Sequence, residues 1–150
     1  MAPIVEALTR YLNIPDILPE TLAKLDKICE LKHYAANDIV YREHEESRHL
    51  FVIVSGQVDV QYLLKDGRRL TLDNCTVGDY LLWSAVIPPY KTNSIGICRV
   101  ATDLLSVDGK ELLRICDEDP SFGYKVMSRV ASVIRRRLQA SRQQLSYYTR

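Results

Sequence analysis

The stretch Leu50-Phe51-Val52-Ile53-Val54-Ser55-Gly56-Gln57-Val58-Asp59-Val60 decides how this chain folds. Phe51, Ile53 and Val54 belong to a run of β-formers that stops at Ser55-Gly56, a turn dipeptide. Beyond it the period is two. Val58, Val60, Tyr62 and Leu64 alternate with the polar Asp59 and Gln61, the spacing that lines up apolar side chains on one face of a strand. The strand runs into Lys65-Asp66-Gly67-Arg68, and apolar residues resume at Leu70 and Leu72. Asp-Gly between alternating apolar residues is the strongest short-range hairpin signal, because glycine accepts the positive φ of the turn. Strands joined by short turns therefore occupy the middle of the chain.

Working outward, Ile39 and Tyr41 share one parity ahead of this block, and short β segments follow at Ile95 to Ala101 and Leu104 to Val107. Gly78-Asp79 and the polar Lys91-Thr92-Asn93-Ser94 separate them. Short strands with closely spaced turns indicate a jelly roll or barrel. From Val5 to Leu31 the apolar residues instead recur at three- and four-residue steps, broken by Pro15 and Pro19, which reads as short helices. The helical period returns at Asp108-Gly109. Leu112, Leu113 and Ile115 mark a short segment, and Asp119-Pro120-Ser121 opens a second helix reaching about Tyr148. The expectation is one mainly-β domain over 1–150, a cupin-like double-stranded β-helix jelly roll: N-terminal helices over 1–33, the β-roll over 34–108, C-terminal helices over 109–150.

A last helix of roughly 28 residues would be about 40 Å long, more than this domain needs to close its own core. Its stripe of Val126, Val130, Val133, Ile134, Leu138 and Leu145 calls for a partner. Self-pairing across a two-fold axis supplies one, with Val130, Ile134, Leu138 and Leu145 as the expected seam. The alternative is that the helix folds back over the roll.

Bulk composition narrows the function. Twenty Lys and Arg against nineteen Asp and Glu leave a formal charge of +1, without the positive excess that phosphate-backbone binding draws on, so no DNA contact is expected. No apolar run approaches the ~20 residues that span a bilayer, and no export signal opens the chain, so neither a membrane role nor secretion is expected. Cys29, Cys75, Cys98 and Cys116 are widely scattered without a C-x-x-C, the pattern of core thiols in a reducing, cytoplasmic setting. Only three histidines are present, His33, His44 and His49, with no H-x-H pair, so no metal site is assigned. Nor does a G-x-S-x-G elbow, P-loop or H-E-x-x-H occur, and an enzyme is not expected.

Helices, a roll containing a G-x-V-x-V strand, then a long helix: this order resembles the sensor domain of the catabolite-activator (Crp/Fnr), cyclic-nucleotide-binding family. Leu50 to Val60 resembles the family's L-Y-x-I-x-x-G-x-V-x-V strand pair, with Asp66-Gly67 as the following hairpin. Val77-Gly78-Asp79-Tyr80 resembles the entry to its phosphate-binding cassette, and Arg136-Arg137-Leu138-Gln139 its dimerising helix. The resemblance implies an anion site built from a short helix after that entry, a cation and a hydroxyl, with a Glu on the ribose and the long helix on the base. It places the cation at Lys91 and the hydroxyl at Thr92. Lys91 keeps the charge without the planar bidentate contact of an Arg. The pattern's Gly-Glu falls on Leu82-Trp83, while Ser84 and Ala85 keep small residues in the same turn. Ser141 and Arg142 take the positions facing a nucleobase. Replacing a charged acceptor by an indole that only donates costs about 1.5–3 kcal/mol, ten- to more than a hundred-fold in affinity. That argues against ordinary cAMP or cGMP.

What the resemblance implies is a homodimeric sensor that binds a small anion or nucleotide in a non-standard pocket, without any cofactor. No cluster-like cysteine spacing supports haem or an iron–sulfur centre. A second reading has Trp83 and Tyr90 plugging the pocket, leaving an interaction module that meets a protein partner. Few residues follow Leu145, so the chain reads either as a stand-alone domain or as the sensor half of a transcription regulator.

Overall fold

The structure, a computed structural model, describes residues 3–148. Two helices lead, α1 (Pro3–Tyr11) and α2 (Pro19–Ile28), followed by strands β1 (Cys29–Tyr34), β2 (Ile39–Tyr41), β3 (His49–Ser55), β4 (Val58–Leu63), β5 (Arg69–Cys75) and β6 (Tyr80–Leu81). A single 3-10 turn at Trp83–Ala85 precedes β7 (Ile95–Cys98) and β8 (Thr102–Asp108), and α3 (Gly109–Glu118) and α4 (Pro120–Tyr148) close the chain. The strands form two four-stranded sheets, β1-β8-β3-β6 and β2-β7-β4-β5. This is the expected jelly roll with N-terminal helices and a long C-terminal helix.

Strand alternation sorts the apolar residues into two cores. In β3, Leu50 and Val52 face the helices together with Tyr80, Leu105 and Val107, where they meet Leu8, Leu25, Leu112, Phe122 and Val126. Phe51 and Ile53 point the other way, into the roll, against Val58, Val60, Cys75, Leu81, Cys98 and Leu104. The turn between β3 and β4 works only with glycine. Gly56 has φ +96, and a Cβ there would lie 2.4 Å from Thr102 Oγ1 and 2.6 Å from the Ala101 carbonyl oxygen. The β4–β5 hairpin closes as expected, with Leu64 N donating to Arg68 O at 2.8 Å and Gly67 N to Leu64 O at 3.0 Å. At the helical end, the Asp108 carboxylate accepts from Glu111 N (3.0 Å) and that of Asp119 from Phe122 N (3.2 Å), satisfying first-turn donors.

Two expectations are corrected. The roll starts at Cys29, not at 34, because β1 pairs with β8 from Cys29↔Val107 to Tyr34↔Thr102. Ile28, Cys29 and Leu31 fit a helical step locally, and only the distant partner strand decides for β. The second correction concerns the long helix. Val130 is 1% exposed within the single chain, so it is a core residue and does not belong to a seam. Further along, Arg136 reaches Asp73 Oδ1 and Asp79 Oδ1, each at 2.9 Å, holding α4 down on the roll. Past that clamp Leu138 and Leu145 remain 51% and 63% exposed. The alternative in which the helix folds back on the roll therefore holds for the front of α4, while Leu138 and Leu145 near its end stay exposed in the single chain. No helix among the described residues is long and apolar enough to cross a membrane.

Candidate functional site

The segment between β6 and β7 carries most of the expected site residues, and its backbone keeps a shape that its side chains do not suggest. Leu82 has φ +62 and ψ +50, the left-handed conformation that a side-chain-bearing residue adopts at a cost of about 1–2 kcal/mol. This is the position at which the resemblance expects glycine. Its side chain packs partly buried against the interior of the roll, and that burial offsets the strain. Trp83, one residue on, packs instead against the helix-side core. Ser84 is buried and its hydroxyl donates to Ser47 Oγ at 2.9 Å.

Thr92 is also buried, and its hydroxyl is engaged. It accepts from Glu45 N at 2.9 Å and donates to the Arg42 carbonyl. The main chain joins in, with Thr92 N donating to Glu45 O (2.9 Å) and His44 N to Thr92 O (3.0 Å). The β2–β3 loop is thereby laced to the segment leading into β7. Lys91 lies on the exposed side of this lacing, opposite Glu46.

Two neighbouring cavities result. An inner one of about 360 Å³ is lined by Val40, Tyr41, Phe51, Leu82, Thr92 and the loop 45–49. An outer one of about 560 Å³ has Ala85, Tyr90, Asp108, Lys110 and Leu113 on one side and residues 46–49 on the other. Of the expected site residues, Leu82 and Thr92 meet in the inner cavity and Ala85 lines the outer. Trp83, Ser84 and Lys91 line neither. Ser141 lies elsewhere, in a groove between α4 and the β4–β5 hairpin, with its hydroxyl on Arg137 O at 3.0 Å, and Arg142 is exposed.

Residues that the sequence reading did not assign to the site also stand in it. Arg48 and His49 stand in the wall shared by both cavities. The guanidinium of Arg48, 2.9 Å from Glu46 Oε2, holds that carboxyl below the usual range. Inside the roll, Tyr41 is buried with its hydroxyl 3.2 Å from Ser94 Oγ. Its ring lies where a Cβ on Gly96 would be, 2.3 Å from Cε1. Burial pushes the Tyr41 phenol up, opposed by Ser94 and by the Arg137 guanidinium. Arg137 enters from α4, its Nε 3.8 Å from Asp73 Oδ2. The alternation of Ile39 and Tyr41 signals an inward tyrosine; nothing local signals that Arg137 meets it.

A family model described as the cyclic nucleotide-binding domain matches residues 31–119, from β1 through α3. The chain belongs to this family. Cyclic nucleotide-binding domains of Crp/Fnr type are regulatory ligand-binding modules rather than enzymes, and this domain has their fold. A cyclic nucleotide-binding domain from Methylobacillus flagellatus superposes with a TM-score of 0.82 at 17% identity, covering 97% of this chain and 84% of its own. The sensor domain of the transcriptional regulator DNR from Pseudomonas aeruginosa gives 0.72 at 15% identity over 88% of both chains. The c-di-GMP-responsive global regulator CLP from Xanthomonas campestris gives 0.74 at 16%, covering 85% of this domain and 62% of the regulator. No curated protein sequence matches the domain significantly.

Proposed function

We propose that this cyclic nucleotide-binding domain is a homodimeric sensor for a small anionic ligand or nucleotide, held in the inner cavity and reported through α4. The observation that carries this reading is that Arg48 and His49 share one cavity wall with the left-handed turn at Leu82. An anion entering there would take Arg48 from Glu46. That pair is open to water, its side chains 72% and 62% exposed, so solvent screening makes it easy to part. Arg48 rather than the outward Lys91 then supplies the cation. Trp83 in place of the family's acidic residue removes the ribose acceptor, which favours ligands presenting phosphate or carboxylate without a hydroxyl to satisfy. α4 carries Arg137 against Tyr41 in the roll, so a ligand there and the exposed end of the helix share one element.

Trp83 is the only tryptophan and adjoins Leu82, so its fluorescence reports on the turn. Titration with cAMP, cGMP, c-di-GMP and inorganic phosphate should give a saturable change with at least one of them, lost in Arg48→Gln. No response to any of the four would reject the reading. The competing reading, a ligand-free interaction module, is favoured by Tyr41 filling the roll interior; a silent titration by a stable dimer would support it.

A further inference from the structure

The groove between the end of α4 and the β4–β5 hairpin shares no residue with the two cavities of the candidate site. Tyr62, Leu64, Leu70 and Leu72 form its hairpin wall, and Leu145 stands on the helix wall. A β-bulge shapes the hairpin side. Val60 pairs with Asp73 and Gln61 with Thr71, which leaves Leu72 as an extra residue. Bulges re-aim side chains, and here two consecutive residues serve α4: Asp73 meets Arg136 at 2.9 Å, and Leu72 lines the groove. The polar groups of the helix wall are engaged within the chain. The Ser141 hydroxyl donates to Arg137 O at 3.0 Å, and Gln144 Nε2 to Thr71 O at 3.3 Å. The second of these bonds also ties the two walls together.

Three charged residues of the hairpin tip line the groove, Lys65, Asp66 and Arg68. Two of them cancel: Arg68 Nε lies 2.7 Å from Asp66 Oδ2, and Arg68 N donates to Asp66 Oδ1 at 3.0 Å. Lys65 forms no ion pair among the described residues. The groove thus combines an apolar lining with one uncompensated positive charge at its end. A nucleotide or sugar would leave hydroxyls and ring nitrogens unpaired against leucines. A hydrocarbon tail asks for no hydrogen bond and gains by leaving water. The α4 of a second copy is a poor match, because it has no Asp or Glu anywhere from Pro120 to Tyr148 and would bring only further cations toward Lys65. At about 660 Å³ the groove lies within the range of small-molecule sites.

We propose that this groove binds a free single-chain amphipathic anion of the fatty-acid class, its tail along Leu64, Leu70, Leu72 and Leu145 and its carboxylate toward Lys65. Bound there, the tail joins the hairpin to the arm of α4 beside the Gln144–Thr71 contact.

Titration of the ¹⁵N-labelled protein with dodecanoate below its micellar concentration, followed at the backbone amides of Gly67, Leu70 and Gln144, should give saturable shifts at all three. Decanoate should bind roughly tenfold more weakly, two buried methylenes being lost. Dodecyltrimethylammonium should bind at least about fivefold more weakly, and Lys65→Glu, at an exposed position, should reverse that head-group preference. Leu70→Gln should weaken dodecanoate at least about fivefold, with the rest of each spectrum showing the variant folded. No saturable shift, or equal binding of the cationic and anionic amphiphiles, would overturn the proposal. Shifts centred on Leu82 and Thr92 would place the ligand in the inner cavity and overturn it too. Shifts at the three amides that follow protein concentration without dodecanoate would give the groove to a second copy. Sedimentation with phosphatidylglycerol vesicles and no response to free dodecanoate would make it a membrane face. Either result rejects a fatty-acid site, and neither bears on whether the inner cavity binds an anion.

Discussion

Replacing Gly56 by Ala should destabilise the domain far more than the same change at Gly67, although the two glycines share nearly the same backbone. Gly56 has φ +96 and Gly67 φ +89, so each variant bears the left-handed penalty of an L-residue, about 1–2 kcal/mol. They differ in surroundings. A Cβ at Gly67 meets nothing within 4 Å, whereas at Gly56 it falls 2.6 Å from the Ala101 carbonyl oxygen and 2.7 Å from Thr102 Cα, backbone atoms that have no rotamer to change. Crowding in a well-packed site adds about 1–3 kcal/mol. Gly56→Ala should therefore lose about 2–5 kcal/mol in total. With a urea slope near ~2 kcal/mol per M the midpoint falls by about 1–2.5 M, against under ~1 M for Gly67→Ala. Equilibrium urea unfolding at unchanged slope measures both. Equal losses in the two variants would refute the reasoning, since the contact with the start of β8 would then contribute nothing.

At the end of α4, Leu138→Glu and Leu145→Glu should each give a folded monomer by light scattering, whereas Val130→Glu should unfold the chain, a buried charge costing more than about 3 kcal/mol; a persisting dimer in both surface variants would reject the seam. Asp73→Asn removes the carboxylate under Arg136 and Arg137 and should cost about 1.5–3 kcal/mol, seen as faster amide exchange across residues 132–147; unchanged exchange would mean that the clamp does not hold the helix. Burial pushes the thiols of Cys29 and Cys75 up to about 12 and that of Cys116 to about 11. Native protein at pH 8 should thus react slowly with a thiol reagent and rapidly in denaturant. The same raised values make the folding contribution of these thiols complete below their ordinary range near pH 9, and lost as pH rises toward 11–12. A flat unfolding free energy between pH 9 and 11 would contradict that sign.

The parts of the fold that were legible in the sequence are those decided within a few residues. Residues 50–60 carry their own period and their own turn, and Asp66-Gly67 carries its hairpin. Asp108 and Asp119 announce the two C-terminal helices because capping is a matter of three residues. β1 was not legible, because Cys29 to Tyr34 become a strand only through β8, more than sixty residues on. The site divides similarly. That Leu82-Trp83 departs from the family's Gly-Glu is visible in the sequence; that Leu82 takes a left-handed backbone despite its side chain is not. The engagement of Thr92 with Arg42 and Glu45, the outward turn of Lys91 and the entry of Arg137 into the roll are tertiary facts. They depend on which loop lies beside which helix, and no local pattern encodes that.

The clamp of Arg136 on Asp73 and Asp79 gives α4 the mechanics of a lever on a fixed fulcrum. From residue 136 to residue 148 the arm is about 18 Å long, so a tilt of only about 10° at the fulcrum carries its tip through roughly 3 Å. Gln144, whose Nε2 donates to Thr71 O at 3.3 Å, acts as a detent that such a tilt must release. A shift at the roll too small to reshape a cavity would thus reach the far end of the helix as a displacement of the order of an atom's diameter.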